Sequence, residues 1–174
     1  SLPAPTLRLR NGNTYYINVI NKLGFEEKMV ESNGFGEYNI TNLHTHGLHI
    51  SPFDDNIFVN INGGESHKYT WNILCNHDSG IHFYHSHHHK SSVNHIGYGA
   101  AGVLIVENRR RDRINLPKWV LNMKEYVLMI QEFDFNILNF LFSNDISGND
   151  YYDYLYLING EYKPVLCLNR NEWT

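Results

Sequence analysis

Hydrophobic and polar residues alternate over Thr6-Leu7-Arg8-Leu9-Arg10 and again from Thr14 to Asn21, with Asn11-Gly12 between the two runs. A period of two marks a half-buried strand, and Asn-Gly is a hairpin-type turn, so the chain is predicted to open on two strands. Gly24 to Gly36 is polar and Gly-punctuated, the pattern of a long loop. Tyr38 to His44 then reads as a strand, broken by Ser51-Pro52-Phe53-Asp54-Asp55-Asn56. Short strands are expected over Ile57 to Ile61 and His67 to Leu74, with a turn at Asn62-Gly63-Gly64. Cys75 to Gly80 is a loop that feeds a strand from Ile81 onward. Ser91 to Gly99 suits one helical turn or a loop, and Ala101 to Val106 is an apolar, β-branched run suited to a buried strand.

Short strands, frequent turns and no amphipathic helix before residue 107 point to an all-β sandwich or barrel. The composition then changes abruptly. Glu107-Asn108-Arg109-Arg110-Arg111-Asp112-Arg113, followed by Pro117, reads either as a linker between domains or as a solvated loop. Beyond it, Tyr126 to Phe133, Leu155 to Asn159 and Pro164 to Leu168 are expected strands, with a turn at Gly160-Glu161. The expected organisation is a first domain over 1–108, a linker over 109–124 and an incomplete second β-domain over 125–174. A β-sandwich takes about 100 residues, more than that last segment holds.

Composition narrows the functions. With 174 residues, 42% hydrophobic and 18% charged, the chain can bury a core. A net charge of -4 provides no basic footprint for nucleic acid. No apolar run approaches the roughly 20 residues of a membrane helix, and Ser1-Leu2-Pro3-Ala4-Pro5 lacks a signal-peptide pattern. Two cysteines, Cys75 and Cys167, do not make a disulfide framework.

The candidate chemistry lies in histidines. Ile81 to Lys90 holds five of them in ten positions, and His44-Thr45-His46 is a second His-x-His. On a strand His85 and His87 point the same way, roughly 7 Å apart at about 3.3 Å per residue. Two same-face imidazole pairs form a metal-binding constellation, and His-x-His pairs can serve copper or grip a single zinc ion. His82 has the opposite parity to His85 and His87, and His49 falls off the parity of His44 and His46; either reads as a packing residue or a partner behind the ligands. His88 and His89 fit a solvated strand end or a channel lining, while His67, His77 and His95 are expected at the surface or in loops.

Four segments in order carry a resemblance: Pro5 to Thr14; Asn42-Leu43-His44-Thr45-His46-Gly47-Leu48-His49-Ile50-Ser51-Pro52; Gly80 to His89; and Gly99 to Glu107. Together they resemble the N-terminal cupredoxin domain of the laccase-like multicopper oxidases. Val127 to Phe133 and Leu157 to Pro164 are similar to the start of that family's second domain. The resemblance implies a cupredoxin-like Greek-key β-sandwich. It also implies copper ligands, with His44 on the type 2 ion of a trinuclear cluster and His46, His85 and His87 on the type 3 pair.

Asp54-Asp55-Asn56-Ile57-Phe58 resembles the family segment that carries a proton-supplying carboxylate, which makes Asp55, ahead of Asp54, the candidate catalytic acid. A loop aspartate that caps a turn is the other reading. The implied partners are O2 and a small reducing substrate, a phenol, aromatic amine or metal ion, together with the remaining cupredoxin domains or another copy of the chain. The implied location is extracellular or periplasmic.

The family's type 1 copper needs a cysteine between histidines, and here Ser86 stands between His85 and His87. The other four cluster histidines, from a His-x-x-His-x-His motif and a His-Cys-His segment, are also missing. Two accounts fit: a portion of a laccase-like oxidase, or a non-catalytic copper-binding or assembly module completed by another chain. A zinc-binding β-domain is a third.

Overall fold

The computed structural model describes residues 2–24, 34–107, 116–134 and 154–167. Its strands are β1 (Ala4–Arg10), β2 (Thr14–Ile20), β3 (His44–His46), β4 (Ser66–Asn72), β5 (Gly80–His85), β6 (Ala101–Glu107), β7 (Ile130–Asp134), β8 (Tyr154–Ile158) and β9 (Glu161–Tyr162). Two short helices, α1 (Ser92–Gly97) and α2 (Lys118–Leu121), complete the described elements. The architecture is all-β, as expected.

One sheet runs in the order β1-β6-β5-β3, and a second pairs β2 with β4. β1 lies parallel to β6, whereas β5 is antiparallel to β6 and β3 is antiparallel to β5. The two sheets share one core. Leu9, Tyr84, Leu104 and Val106 come from the first sheet, and Tyr69 and Trp71 from β4, with Tyr15, Ile17 and Val19 of β2 packed against them. Trp71 and Leu104 are fully buried. β2 alternates strictly between half-buried and exposed positions, whereas β6 is buried on both faces, as the continuous apolar run of the latter requires. Gly102 of β6 is needed for this packing, because a Cβ there would stand 2.5 Å from the Tyr84 ring.

The opening strands form where expected, but they are not a hairpin. The turn at Asn11-Gly12 instead carries the chain from one sheet to the other. Gly12 has φ 76°, its N–H donates to Ile73 O at 2.8 Å, and β2 pairs with β4. β3 is shorter than the expected strand because the chain crosses between sheets there. Thr41 bridges Ile61, and the Leu43 N–H donates to the Tyr69 hydroxyl at 3.0 Å. No strand forms over Ile57–Ile61 beyond that bridge, since Asn56 Oδ1 caps the Phe58 N–H and turns the chain.

In the C-terminal stretch β7, β8 and β9 form a three-stranded antiparallel sheet. Asn159 and Gly160, with φ 51° and 81°, make the turn between β8 and β9, one residue earlier than expected. No strand forms over 164–167. Leu168, the span 25–33 of the expected loop and 109–115 of the expected linker lie outside the described residues.

Candidate metal centre

The register of β3 on β5 builds the centre. His44 lies opposite His85 and His46 opposite Phe83, so these imidazoles share one face while Thr45 and Tyr84 are buried on the other. Slipping the pairing by one residue would replace the histidines with Thr45. His87 follows two residues past the end of β5, and there its backbone N–H donates to Asn42 Oδ1 at 2.7 Å. All four expected ligands converge. The ring centroid of His44 lies 4.8 Å from that of His46, 5.6 Å from His85 and 5.0 Å from His87. The Nε2 atoms of His46 and His85 are 2.9 Å apart.

Neighbouring groups orient these rings. The Nδ1 of His85 sits 2.7 Å from Ser86 O, and a carbonyl oxygen only accepts, so Nδ1 carries the proton and Nε2 the lone pair. The Nδ1 of His44 lies 2.9 Å from Asp55 Oδ2 but is aligned too poorly for a true hydrogen bond. Asp55 Oδ1 accepts the Thr45 N–H at 3.1 Å. Asp55 therefore stands beside the centre and is tied to β3. Phe83 stacks on His46 at 4.3 Å, covering one face of the most exposed of the four rings.

Burial holds the pKa values of His44, His46 and His85 below the ordinary histidine value; neighbouring imidazoles depress them further and Asp55 opposes. These rings are neutral near pH 7, the state in which a ring nitrogen can ligate. Neutral imidazole nitrogens suit copper. Among the described residues, no three His, Cys, Asp or Glu side chains form a ready cage for one ion. The donors come as convergent pairs.

A sequence profile described as multicopper oxidase matches residues 1–111. The chain belongs to the multicopper oxidase family. Solved structures agree in fold. The multicopper oxidase of Campylobacter jejuni, described as a metallo-oxidase, is 24% identical with a TM-score of 0.65, covering 94% of this chain and 31% of that one. A variant of the McoA multicopper oxidase from the hyperthermophile Aquifex aeolicus is 22% identical with a TM-score of 0.60, covering 92% and 32%. A laccase from Pediococcus acidilactici is 17% identical with a TM-score of 0.65, covering 94% and 32%. This multicopper oxidase chain thus spans about a third of the length of each. No curated protein sequence matches it.

Several of the remaining histidines are more buried than expected. His77 and His95 are buried at 4% and 7% exposure, not at the surface. The Nδ1 of His77 donates to Asp78 O at 2.7 Å, leaving Nε2 to accept the His49 N–H at 2.9 Å. His95, on α1, donates from Nε2 to Tyr38 O at 2.8 Å, so its Nδ1 accepts from the Ser86 hydroxyl at 2.9 Å. His88 is buried against Glu37, 2.9 Å from Oε2, whereas His89 is exposed. His67 lies within β4, edge-on to Tyr69. His82 packs on the face away from the four convergent rings, against Gly47, where a Cβ would come within 2.3 Å of its Nδ1. Gly47 has φ 89°, a second reason for glycine there.

Nothing in the sequence pattern marks Asn42 as a site residue. Its partners are backbone atoms, which leave no mark in residue spacing.

Proposed function

We propose that His44, His46, His85 and His87 are copper ligands of a laccase-like multicopper oxidase, supplying half of the histidines of a trinuclear centre that reduces O2 to water. The observation that carries this is the convergence of the four imidazoles on one face of the β3–β5 ribbon. Pairs of donors without a closed cage agree with ions whose coordination is completed by another domain or another copy of the chain. By resemblance, His44 serves the type 2 ion and the other three the type 3 pair.

Copper, when bound, supplies the one-electron redox steps by which O2 takes up four electrons and four protons to give two waters. The chain's own residues hold and orient. The Ser86 carbonyl keeps the His85 proton on Nδ1, and Asp55 Oδ2 stands where it can hold a proton beside His44 Nδ1. Asp55 is the proposed acid. Electrons would enter from a phenol, aromatic amine or metal ion, at a type 1 site that these 174 residues do not carry.

A second reading, a non-catalytic copper-binding or assembly module completed by another chain, is favoured by Ser86 standing between His85 and His87 and by the absence of any cysteine flanked by histidines in the sequence. The segment 125–174 is then the start of a second cupredoxin-like unit, preceded by a linker over 109–124, in a protein that works outside the cytoplasm. No described helix is long and apolar enough to cross a membrane. Copper titration followed by EPR tests the assignment: nitrogen hyperfine coupling that vanishes in His44→Ala/His85→Ala is expected. Unchanged coupling in that variant, or zinc bound in preference to copper, refutes it. Sustained O2 uptake by the copper-loaded chain with a phenol would refute the absence of an electron entry site.

A further inference from the structure

Asn42 sits two residues before His44, is 3% exposed, and divides its carboxamide between two segments. Its Oδ1 accepts the His87 N–H at 2.7 Å, and its Nδ2 donates to Ile57 O at 2.7 Å. The first bond fixes the chain where it has left β5 and has no ladder partner to set its position. The second fixes the turn that carries Asp55. That turn is a compact unit, with the Asp54 and Asp55 N–H groups both bonded to Ser51 O and the Phe58 N–H to Asn56 Oδ1. Asp55 in turn holds the Thr45 N–H and approaches His44.

We infer that Asn42 is a positioning residue of the metal centre, whose single buried carboxamide sets the strand end bearing His87 and the loop bearing Asp55 at a fixed separation across His44. This rests on the proposed copper reading for its purpose, though not for its geometry. A carboxamide suits the task because it presents one donor and one acceptor in a rigid plane, each to a backbone group that needs a buried partner.

Asn21 is the internal control. It is also 3% exposed and donates to Asn39 O and Ile61 O, both at 2.7 Å, but it reaches neither His87 nor the turn at 51–58. A merely structural role would make the two asparagines equivalent.

The test uses the metal-free chain first. In Asn42→Ala, amide exchange at His87 should quicken about tenfold, the equivalent of one buried hydrogen bond, and the His44 ring nitrogen resonances should shift. Asn42→Asp keeps the acceptor, so it should restore protection at His87 while leaving the His44 shift in place; it also serves as the working variant if Asn42→Ala does not fold. Asn21→Ala should leave both signals at their wild-type values. In a second arm, copper titration of Asn42→Ala should show about a tenfold weaker affinity than wild type. Wild-type values for His87 exchange and His44 resonances in both Asn42 variants overturn the inference, as does an equal response in Asn21→Ala. If the wild-type chain binds no copper through histidine nitrogen, the copper reading fails, and the metal-free arm still decides the role of Asn42.

Discussion

The β3–β5 ribbon and its flanks carry histidines on both faces, and the two sets differ in what their ring nitrogens touch. On one face His46 and His85 aim Nε2 at each other, with the Ser86 carbonyl holding the His85 proton on the far nitrogen. On the other, both nitrogens of His77 are engaged by backbone, one by Asp78 O and one by the His49 N–H, while His82 packs against His77 and Gly47. One face gathers imidazoles against one another, where an arriving ion can replace the contact between His46 and His85, whereas the other ties His77 to backbone groups that hold its ring in place. Density of histidines along the chain does not separate the two.

The largest effect should come from removing donors on the first face. His44→Ala/His85→Ala is expected to weaken copper binding at least about 100-fold, measured by titration, whereas His82→Leu should leave it within about twofold. Comparable losses in both variants would erase the distinction between the faces.

Next comes the clamp. His77→Ala removes a buried ring with two hydrogen bonds and should cost about 2–3 kcal/mol in urea unfolding, with copper affinity per folded molecule unchanged. Gly47→Ala forces a side chain into a φ of 89° and against the His82 ring, for about 1–3 kcal/mol. Its test is again urea unfolding, and a neutral result would mean that the two faces are not closely packed at this point.

The smallest effects are in pH dependence and at His82 itself. Burial lowers the folded-state pKa of His82, with His77 and His49 adding to it, and burial likewise lowers that of His95. A folded pKa below the unfolded value of 6.5 means that the unfolded chain binds the proton first. Stability of the metal-free chain is therefore full above pH 6.5 and declines as the pH falls through that value toward the lower folded ones. His82→Leu should flatten the decline, and because the buried Nε2 of His82 has no hydrogen-bond partner, it should change stability at pH 7.5 by less than about 1 kcal/mol. Unfolding curves at pH 5.5 and 7.5 measure both.

Much of the secondary structure could be read directly. The alternation in β2, the apolar run of β6 and the shared parity of His44 with His46 are local properties, written in consecutive side chains. Three other features could not be read. β1 and β2 look like a hairpin, yet β1 finds its partner in β6, almost a hundred residues away. Ile57 to Ile61 has strand composition, yet Asn56 and Asn42 draw its backbone into a turn. His77 and His95 look like surface or loop histidines, and they are buried because backbone groups from distant segments meet their rings, the His49 N–H donating to His77 and the Tyr38 carbonyl accepting from His95.

By itself the sequence determined the β class, the two His-x-His pairs and the family to which they belong, because each depends on side-chain type and short-range period. Tertiary structure alone decided that His44 faces His85, that Asp55 reaches His44, and which imidazoles meet one another and which are held by backbone. Those outcomes depend on strand register and on hydrogen bonds to backbone atoms. Every residue carries the same backbone groups, so only the folded chain selects among them.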